Sequence, residues 1–156
     1  NRDFVEEVAM EGKHTFISTG MSDLDDIETV VNVFDHYNTP FTLLHCVSTY
    51  PCNDEDCNIY MVDTLRNKFH CRVGYSGHER GLTPTLLAVA TGASVIERHI
   101  TADRTLYGSD QSASLEPRGL EILCREARLV KSMMGDGHKR RLPKEHECAG
   151  KLRWFE

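Results

Sequence analysis

Four short apolar segments, spaced for a parallel sheet, constrain the fold of this 156-residue chain more than any other feature. Each is short enough for a strand and mostly apolar, as expected of a strand covered on both faces. The four segments are His14–Gly20, Phe41–Ser48, Arg72–His78 and Ser94–Ile100. The intervals between them leave room for one helix and two loops, which is the pattern of repeated βαβ units. The sequence therefore predicts an α/β fold with a parallel sheet.

Apolar residues at helical spacing predict a helix after each strand. The first of these helices would begin at Ser22, with Asp25 in the capping-box position. The third would have Thr83 as its N-cap and Pro84 in its first turn. The fourth would end at Gly135, after which the chain becomes polar and basic and is interpreted as a linker.

Four βα units can form half of a (β/α)8 barrel or a small open sheet, and the position of the polar residues separates the two. In barrels, catalytic residues collect at the carboxyl ends of the strands. Every predicted strand here ends in polar residue types: Ser18-Thr19-Gly20, Cys46-Val47-Ser48-Thr49, Ser76-Gly77-His78 and Glu97-Arg98-His99. A sheet that served only as a core would have no reason to repeat this pattern, which favours the half-barrel.

The composition indicates which kinds of partner, and which cellular compartment, to expect for this chain. The chain has 18 basic and 24 acidic residues, a net charge of −6, which disfavours nucleic acid or an anionic membrane as its general partner. No apolar run approaches the roughly 18 residues that cross a bilayer, and no secretion signal is recognisable. We therefore expect a cytoplasmic protein with reduced thiols. Cys52 and Cys57 flank an acidic loop, and free thiols are favoured there over a zinc module.

Two histidines end consecutive predicted strands and point to a metal. The carboxyl ends of neighbouring parallel strands lie side by side, so His78 and His99 would face one space. Glu97 lies two residues before His99 and so points to the same face of its strand, whereas Arg98 faces the helices or an ion pair there. Two imidazoles and a carboxylate are a plausible divalent-metal shell. The alternative is that each histidine only satisfies a hydrogen bond in the core.

Three serines at strand ends form a second candidate cluster: Ser18, Ser48 and Ser76. Hydroxyls and loop amides at such positions can donate to a phosphate or carboxylate without adding net charge. Each serine alone could equally bond its own local backbone in a turn or cap. The phosphate-loop pattern of nucleotide-binding proteins is absent from the sequence, which leaves a nucleotide site without support.

Five ordered motifs that span most of residues 14–135 closely resemble the sialic acid synthases, the N-acetylneuraminate synthases and their bacterial relatives. The motifs are STGM (18–21), LLHCVSTYP (43–51), GYSGHERG (74–81), VIERHIT (95–101) and YGSDQSASLEP (107–117). The resemblance implies condensation of phosphoenolpyruvate with an N-acetylated amino sugar such as N-acetylmannosamine, with release of phosphate. It also implies a TIM barrel followed by a small antifreeze-like domain, in a homodimer. Residues 1–135 would then be the second half of the barrel, and residues 136–156 the start of the linker.

The resemblance also assigns roles to the polar strand ends. His78 and His99 would ligate a divalent cation, usually Mn²⁺ or Mg²⁺, with Glu97 beside it to orient or deprotonate a reacting group. Three serines would surround the phosphate and carboxylate of phosphoenolpyruvate: Ser18, Ser48 and Ser76. The sugar would contact Tyr50 and Asp110.

Two departures from the family pattern bear on the choice of sugar: Gln111 stands where relatives often have His, and Gly77 where many have Asp. The lysines that neutralise the phosphate in the family belong to the first barrel half, so we expect this chain alone to be inactive. Related alternatives are a legionaminic or pseudaminic acid synthase, or a synthase for a 6-phosphorylated sugar. An alternative of another class is a half-barrel that only folds or assembles without turnover.

Overall fold

A computed structural model describes residues 1–154 and contains a sheet of four strands with six α-helices. The strands are β1 (Thr15–Ser18), β2 (Phe41–Cys46), β3 (Arg72–Gly77) and β4 (Ile96–Arg98). The helices are α1 (Arg2–Met10), α2 (Leu24–His36), α3 (Met61–Phe69), α4 (Thr83–Ala90), α5 (Pro117–Met134) and α6 (Pro143–Leu152). Short 3₁₀ helices occur at Asp54–Asp56 and Gln111–Ala113.

The sheet has the order β1-β2-β3-β4, and every neighbouring pair is parallel. One helix crosses over between consecutive strands, and the four βα units form a half-barrel. The prediction of an α/β half-barrel from four apolar segments is confirmed. All four strands lie within the predicted segments, and β4 is the shortest.

The core lies between the sheet and the crossover helices. Its central members come from the two inner strands and from three helices: Ile27, Val31, Leu43, Val62, Leu65, Val73, Tyr75 and Ala88. All residues of β2 and β3 after the first are buried, which explains why these segments are mostly apolar. A smaller cluster of Ala9, Val33 and Phe34 attaches α1 to α2.

Two predicted helix starts were wrong by one residue. Asp23, rather than Ser22, caps α2: its carboxylate accepts the backbone N–H groups of Asp25 and Asp26 at 3.0 and 2.9 Å. Asp26, rather than Asp25, completes the capping box, because its side chain lies within reach of the Asp23 backbone N–H. A carboxylate at this position also interacts favourably with the helix dipole, which a serine hydroxyl does not.

The other wrong start is that of α4. Thr83 is its first helical residue rather than its cap, Leu82 takes the N-cap position, and Pro84 is the second residue. Proline is tolerated there because the first backbone N–H groups of a helix have no intrahelical partner.

The segment after Gly135 contains a helix that the sequence reading did not predict. In α6, Pro143 occupies the first position, and the Glu145 carboxylate accepts the backbone N–H of Leu142 at 2.7 Å. No buried residue lies in this helix. The assignment of residues 136–156 to a linker stays a prediction, and its last two residues lie outside the described part of the chain. None of the helices in residues 1–154 is long and apolar enough to cross a membrane.

Candidate active site

The polar strand ends meet at one edge of the half-barrel, where the loops after β2, β3 and β4 converge. His78 immediately follows β3 and His99 immediately follows β4. Their ring centroids lie 5.0 Å apart, and the rings meet edge to face. Tyr50, on the loop after β2, packs against both rings, with centroid distances of 4.3 Å to His78 and 5.7 Å to His99. The structure therefore brings together three predicted site residues from three loops.

His78 is buried and held in one orientation. Its Nδ1 lies 3.1 Å from the carbonyl oxygen of Val47 and 3.9 Å from the Cys46 sulfur. Because a carbonyl only accepts, Nδ1 carries the proton and Nε2 keeps its lone pair. Burial lowers the pKa of His78 against the opposing effect of the Val47 hydrogen bond, and the nearby His99 lowers it further. His78 is thus held as a neutral imidazole with a free nitrogen.

His99 lies beside a carboxylate. Its Nδ1 lies 3.5 Å from Asp110 Oδ2, and both side chains are partly exposed. The loop that carries Asp110 is attached to the end of β4, because Leu115 donates its backbone N–H to the His99 carbonyl and Thr101 donates to the Leu115 carbonyl. The predicted sugar residue Asp110 thus lies beside a predicted metal ligand.

Ser76 and Glu97 form a second pair beside the histidines. They are register partners on β3 and β4, and the Ser76 hydroxyl donates to Glu97 Oε1 at 2.7 Å. Each lies two residues before a histidine, which places Ser76 with His78 and Glu97 with His99 on the same side of their strands. The spacing of Glu97 and His99 was used in the prediction from the sequence, and the Ser76–Glu97 hydrogen bond adds Ser76 and His78 to the same side of the strand ends.

The other two predicted serines differ in their positions. Ser48 lies at the end of β2, 3.7 Å from the Cys46 sulfur, and its hydroxyl fills the space that a side chain at Gly20 would need. The loop after β1 thus approaches the loop after β2. Ser18 is exposed, and none of its side-chain contacts links it to the histidine pair in the described residues.

The sequence pattern of the NeuB family matches residues 1–139. The chain belongs to the NeuB family. It is 42% identical over 153 residues to the mouse N-acetylneuraminate-9-phosphate synthase, covering 97% of this chain and 43% of that protein. The N,N'-diacetyllegionaminic acid synthase of Campylobacter jejuni is 40% identical over 143 residues, covering 90% of this chain and 43% of that protein.

Solved structures of relatives have the same fold. The N-acetylneuraminic acid (sialic acid) synthetase of Leptospira borgpetersenii, crystallised with citrate, superimposes with a TM-score of 0.85 at 38% identity. The match covers 98% of this chain and 55% of that one. By comparison, this chain spans 43% of the length of the mouse protein and 43% of the length of the Campylobacter protein.

The donor set fits a divalent cation. Metal-binding histidines usually donate their second ring nitrogen to a carbonyl or carboxylate. The Val47 carbonyl takes that position for His78, and the Asp110 carboxylate lies 3.5 Å from the corresponding nitrogen of His99. No group of three or more His, Cys, Asp or Glu side chains in residues 1–154 is arranged to hold a metal by itself. A cation bound by His78 and His99 would therefore take further ligands from water or substrate, as open catalytic sites do.

Two features of this edge were not singled out from the sequence. Cys46 lies next to both Ser48 and His78. Glu79 is fully buried and pairs with Arg98, which the sequence had placed against either the helices or an ion pair, with no partner named. A buried acidic residue needs a charged partner, but the burial of Glu79 cannot be recognised from the sequence around it.

No disulfide joins Cys52 and Cys57 in the structure, and the choice of free thiols over a zinc module stays a prediction. Their sulfur atoms lie 3.8 Å apart, and both side chains are buried. Burial raises the pKa of the Cys57 thiol to about 12, which keeps the thiol protonated at neutral pH. Within residues 1–154, no further ligand completes a metal cluster with this pair.

Proposed function

We propose that this chain supplies half of the active site of an enzyme that condenses phosphoenolpyruvate with an N-acetylated amino sugar, forming a sialic acid-type product and inorganic phosphate. The observation that carries the proposal is the pairing of His78 and His99 at neighbouring strand ends, 5.0 Å apart, in a chain of the NeuB family. The names of the relatives support it, since they are synthases of sialic, legionaminic or pseudaminic acids.

In this proposal His78 and His99 hold a divalent cation, which when bound would polarise the aldehyde of the open-chain sugar. Mg²⁺ prefers an all-oxygen shell, so a site built on two imidazoles favours Mn²⁺ of the two expected metals. Tyr50 and Asp110 contact the sugar. This assignment is supported by the 43% exposure of Tyr50 and by the partial exposure of Asp110 at the open edge.

The carboxylate of Glu97 serves the second half of the reaction. The double-bond electrons of phosphoenolpyruvate form a bond from its methylene carbon to the aldehyde carbon, the aldehyde oxygen takes a proton from solvent and becomes a hydroxyl, and positive charge develops at the former enol carbon. Glu97 stabilises that charge and removes a proton from the water that adds there. The bond from this carbon to the bridging oxygen then breaks, phosphate leaves with that oxygen, and the added hydroxyl loses its proton to solvent and becomes the carbonyl of the product. The hydrogen bond from Ser76 holds the Glu97 carboxylate in place. Ser18, Ser48 and Ser76 are assigned to the surroundings of the phosphate and carboxylate of phosphoenolpyruvate, where Ser76 contributes by position because its hydroxyl proton is donated to Glu97.

The first barrel half is expected to supply the positive charge that the phosphate needs, so we propose that this chain acts as part of a full-length protein rather than alone. The resemblance to the family is the basis for proposing that this full-length protein is a homodimer. We also propose a cytoplasmic location. The six free cysteines of the chain support it, because thiols stay reduced in that compartment.

The test measures phosphate release from phosphoenolpyruvate with N-acetylmannosamine, with its 6-phosphate, and with a di-N-acetylated bacterial sugar. The chain is assayed alone and joined to the first barrel half of a NeuB-family relative. We expect turnover with one acceptor in the joined form, and a loss of about 100-fold or more in Glu97→Gln. Glu121→Gln, on the exposed face of α5, is the matched control. Full turnover by Glu97→Gln contradicts the assigned role, and no turnover with any acceptor favours the non-catalytic half-barrel.

A further inference from the structure

A buried ion pair joins the residues that adjoin the two histidines in the chain. Glu79 directly follows His78, and Arg98 directly precedes His99. Arg98 Nη1 donates to Glu79 Oε1 over 2.8 Å, and the two side chains are 2% and 0% exposed. We propose that Glu79 and Arg98 are positioning residues that hold His78 and His99 in the paired arrangement on which the proposed function rests.

The Arg98 guanidinium links three segments of the site. Besides the Glu79 carboxylate, its Nη atoms donate to the backbone carbonyls of Glu79 at 2.5 Å, Gly81 at 3.1 Å and Ala113 at 3.5 Å. Ala113 donates its own backbone N–H to the carbonyl of Asp110, the residue that faces His99. One side chain on β4 therefore fixes the loop after β3 and the loop that carries Asp110.

The Glu79 carboxylate is fixed from the other side. Its Oε1 accepts hydrogen bonds from the backbone N–H and the hydroxyl of Thr85, in the first turn of α4, at 3.2 and 2.5 Å. Its Oε2 accepts from the Tyr75 hydroxyl on β3 at 3.1 Å. The loop that carries Tyr50 is attached at the same point. Cys52 donates its backbone N–H to the His78 carbonyl, and the backbones of Cys52 and Glu79 pair in an isolated parallel β-bridge. All three loops of the site thus contact this pair or its immediate neighbours.

Stability alone gives little reason for such a pair. Removing two charges from water is costly, and apolar residues of similar volume often fill a buried ion-pair site with equal or greater stability. The guanidinium is also incompletely satisfied, since Arg98 Nε has no hydrogen-bond partner in the described residues. What apolar residues cannot reproduce is the set of directed contacts to the loops after β3 and β4. The geometric role is therefore the better account of the pair.

Gly77 provides the space that the pair occupies. A Cβ at this position would lie 2.6 Å from Glu79 Oε2, 2.7 Å from Tyr75 Cε1 and 2.9 Å from Arg98 Cδ. All three distances are shorter than a real Cβ contact, so a side chain at Gly77 would displace the carboxylate or the guanidinium. This gives a variant, Gly77→Ala, that disturbs the pair without removing either charge.

The test compares the parent chain with the double variant Glu79→Leu/Arg98→Met, using proton cross-relaxation between the rings of His78 and His99 in the metal-free state. We expect the double variant to unfold cooperatively at a midpoint equal to or above that of the parent. It should lose the ring-to-ring cross peaks and bind Mn²⁺ about 10- to 100-fold more weakly. The control is Glu28→Leu/Lys68→Met, which removes a surface ion pair of the same 2.8 Å length and should leave the cross peaks intact.

Two single variants keep the test decisive if the double variant does not fold. Gly77→Ala and Arg98→Lys both retain the charges, and each should weaken the cross peaks while the chain stays folded. Parental cross peaks in a folded double variant, or in both single variants, overturn the positioning role. The proposed function is judged separately: a parent that shows the cross peaks but binds no Mn²⁺ counts against that function, whereas the cross peaks alone decide the positioning role.

Discussion

His78 and His99 meet edge to face with their ring centroids 5.0 Å apart, although 20 residues of chain separate them. The parallel register of β3 and β4 produces this approach, since Ser76 pairs with Glu97 and Gly77 with Arg98 in the sheet. The next residue of each chain segment is a histidine. A site that needs two imidazoles in one place is thus built from two adjacent strand ends: sheet pairing brings the two residues side by side, and the contacts of the loops that follow orient their rings.

Truncation of the core residue Leu43 should strongly destabilise the fold. Leu43 is fully buried at the centre of β2, and its loss leaves a cavity between the sheet and the helices. We expect Leu43→Ala to lower the free energy of unfolding by about 2–5 kcal/mol in urea titrations. Leu129→Ala is the matched control, because Leu129 is 46% exposed on α5. Equal effects of the two substitutions would contradict the described core.

Mutation can also test how much the Asp23 cap of α2 contributes to stability. Asp23→Ala removes the acceptor of two backbone N–H groups, so we expect a loss of about 1 kcal/mol in the free energy of unfolding. Ser22→Ala removes only a 3.4 Å bond to the Gly20 carbonyl and should be close to neutral. A larger effect of Ser22→Ala than of Asp23→Ala would restore the cap predicted from the sequence.

The sequence was sufficient to predict the strands and the histidine pair, but not the cap of α2 or the partner of Arg98. Strand positions were predictable because β2 and β3 are buried on both faces and are therefore mostly apolar. The pairing of His78 with His99 followed from strand order alone. The cap at Asp23 was missed because serine and aspartate are both good N-caps, and only the backbone conformation distinguishes adjacent candidates. The partner of Arg98 was missed because Glu79 lies in a polar run whose burial depends on α4 and on the loop after β4.

Stability should fall in mild acid partly because of His45. Burial lowers the pKa of this histidine, whose Nε2 lies 2.8 Å from the Cys57 carbonyl. The unfolded chain takes up a proton as the pH falls through about 6.5, whereas the native chain does so only at lower pH, so this group favours unfolding below that value. We expect His45→Gln to reduce the difference in urea midpoint between pH 7.5 and 5.5. An unchanged difference would show that His45 titrates alike in both states.

Thiol accessibility should divide the six cysteines into two groups. Cys124 and Cys148 are exposed on α5 and α6, whereas Cys46, Cys52 and Cys57 are buried and Cys71 is partly buried. Burial also raises the pKa of the Cys57 and Cys71 thiols, which lowers their reactivity. A maleimide pulse on the native chain, read by mass spectrometry, should label Cys124 and Cys148 first. Early labelling of Cys57 would contradict the packing of the loop after β2.

The most direct test of the central claim is calorimetric titration of Mn²⁺ into the chain and into three variants. We expect His78→Ala and His99→Ala each to weaken binding strongly, because each removes one of two imidazole ligands. His36→Ala is the control, since His36 lies at the end of α2, far along the chain from the site. Parental binding in both site variants, or no binding by the folded parent chain, would contradict a metal site at these two strand ends.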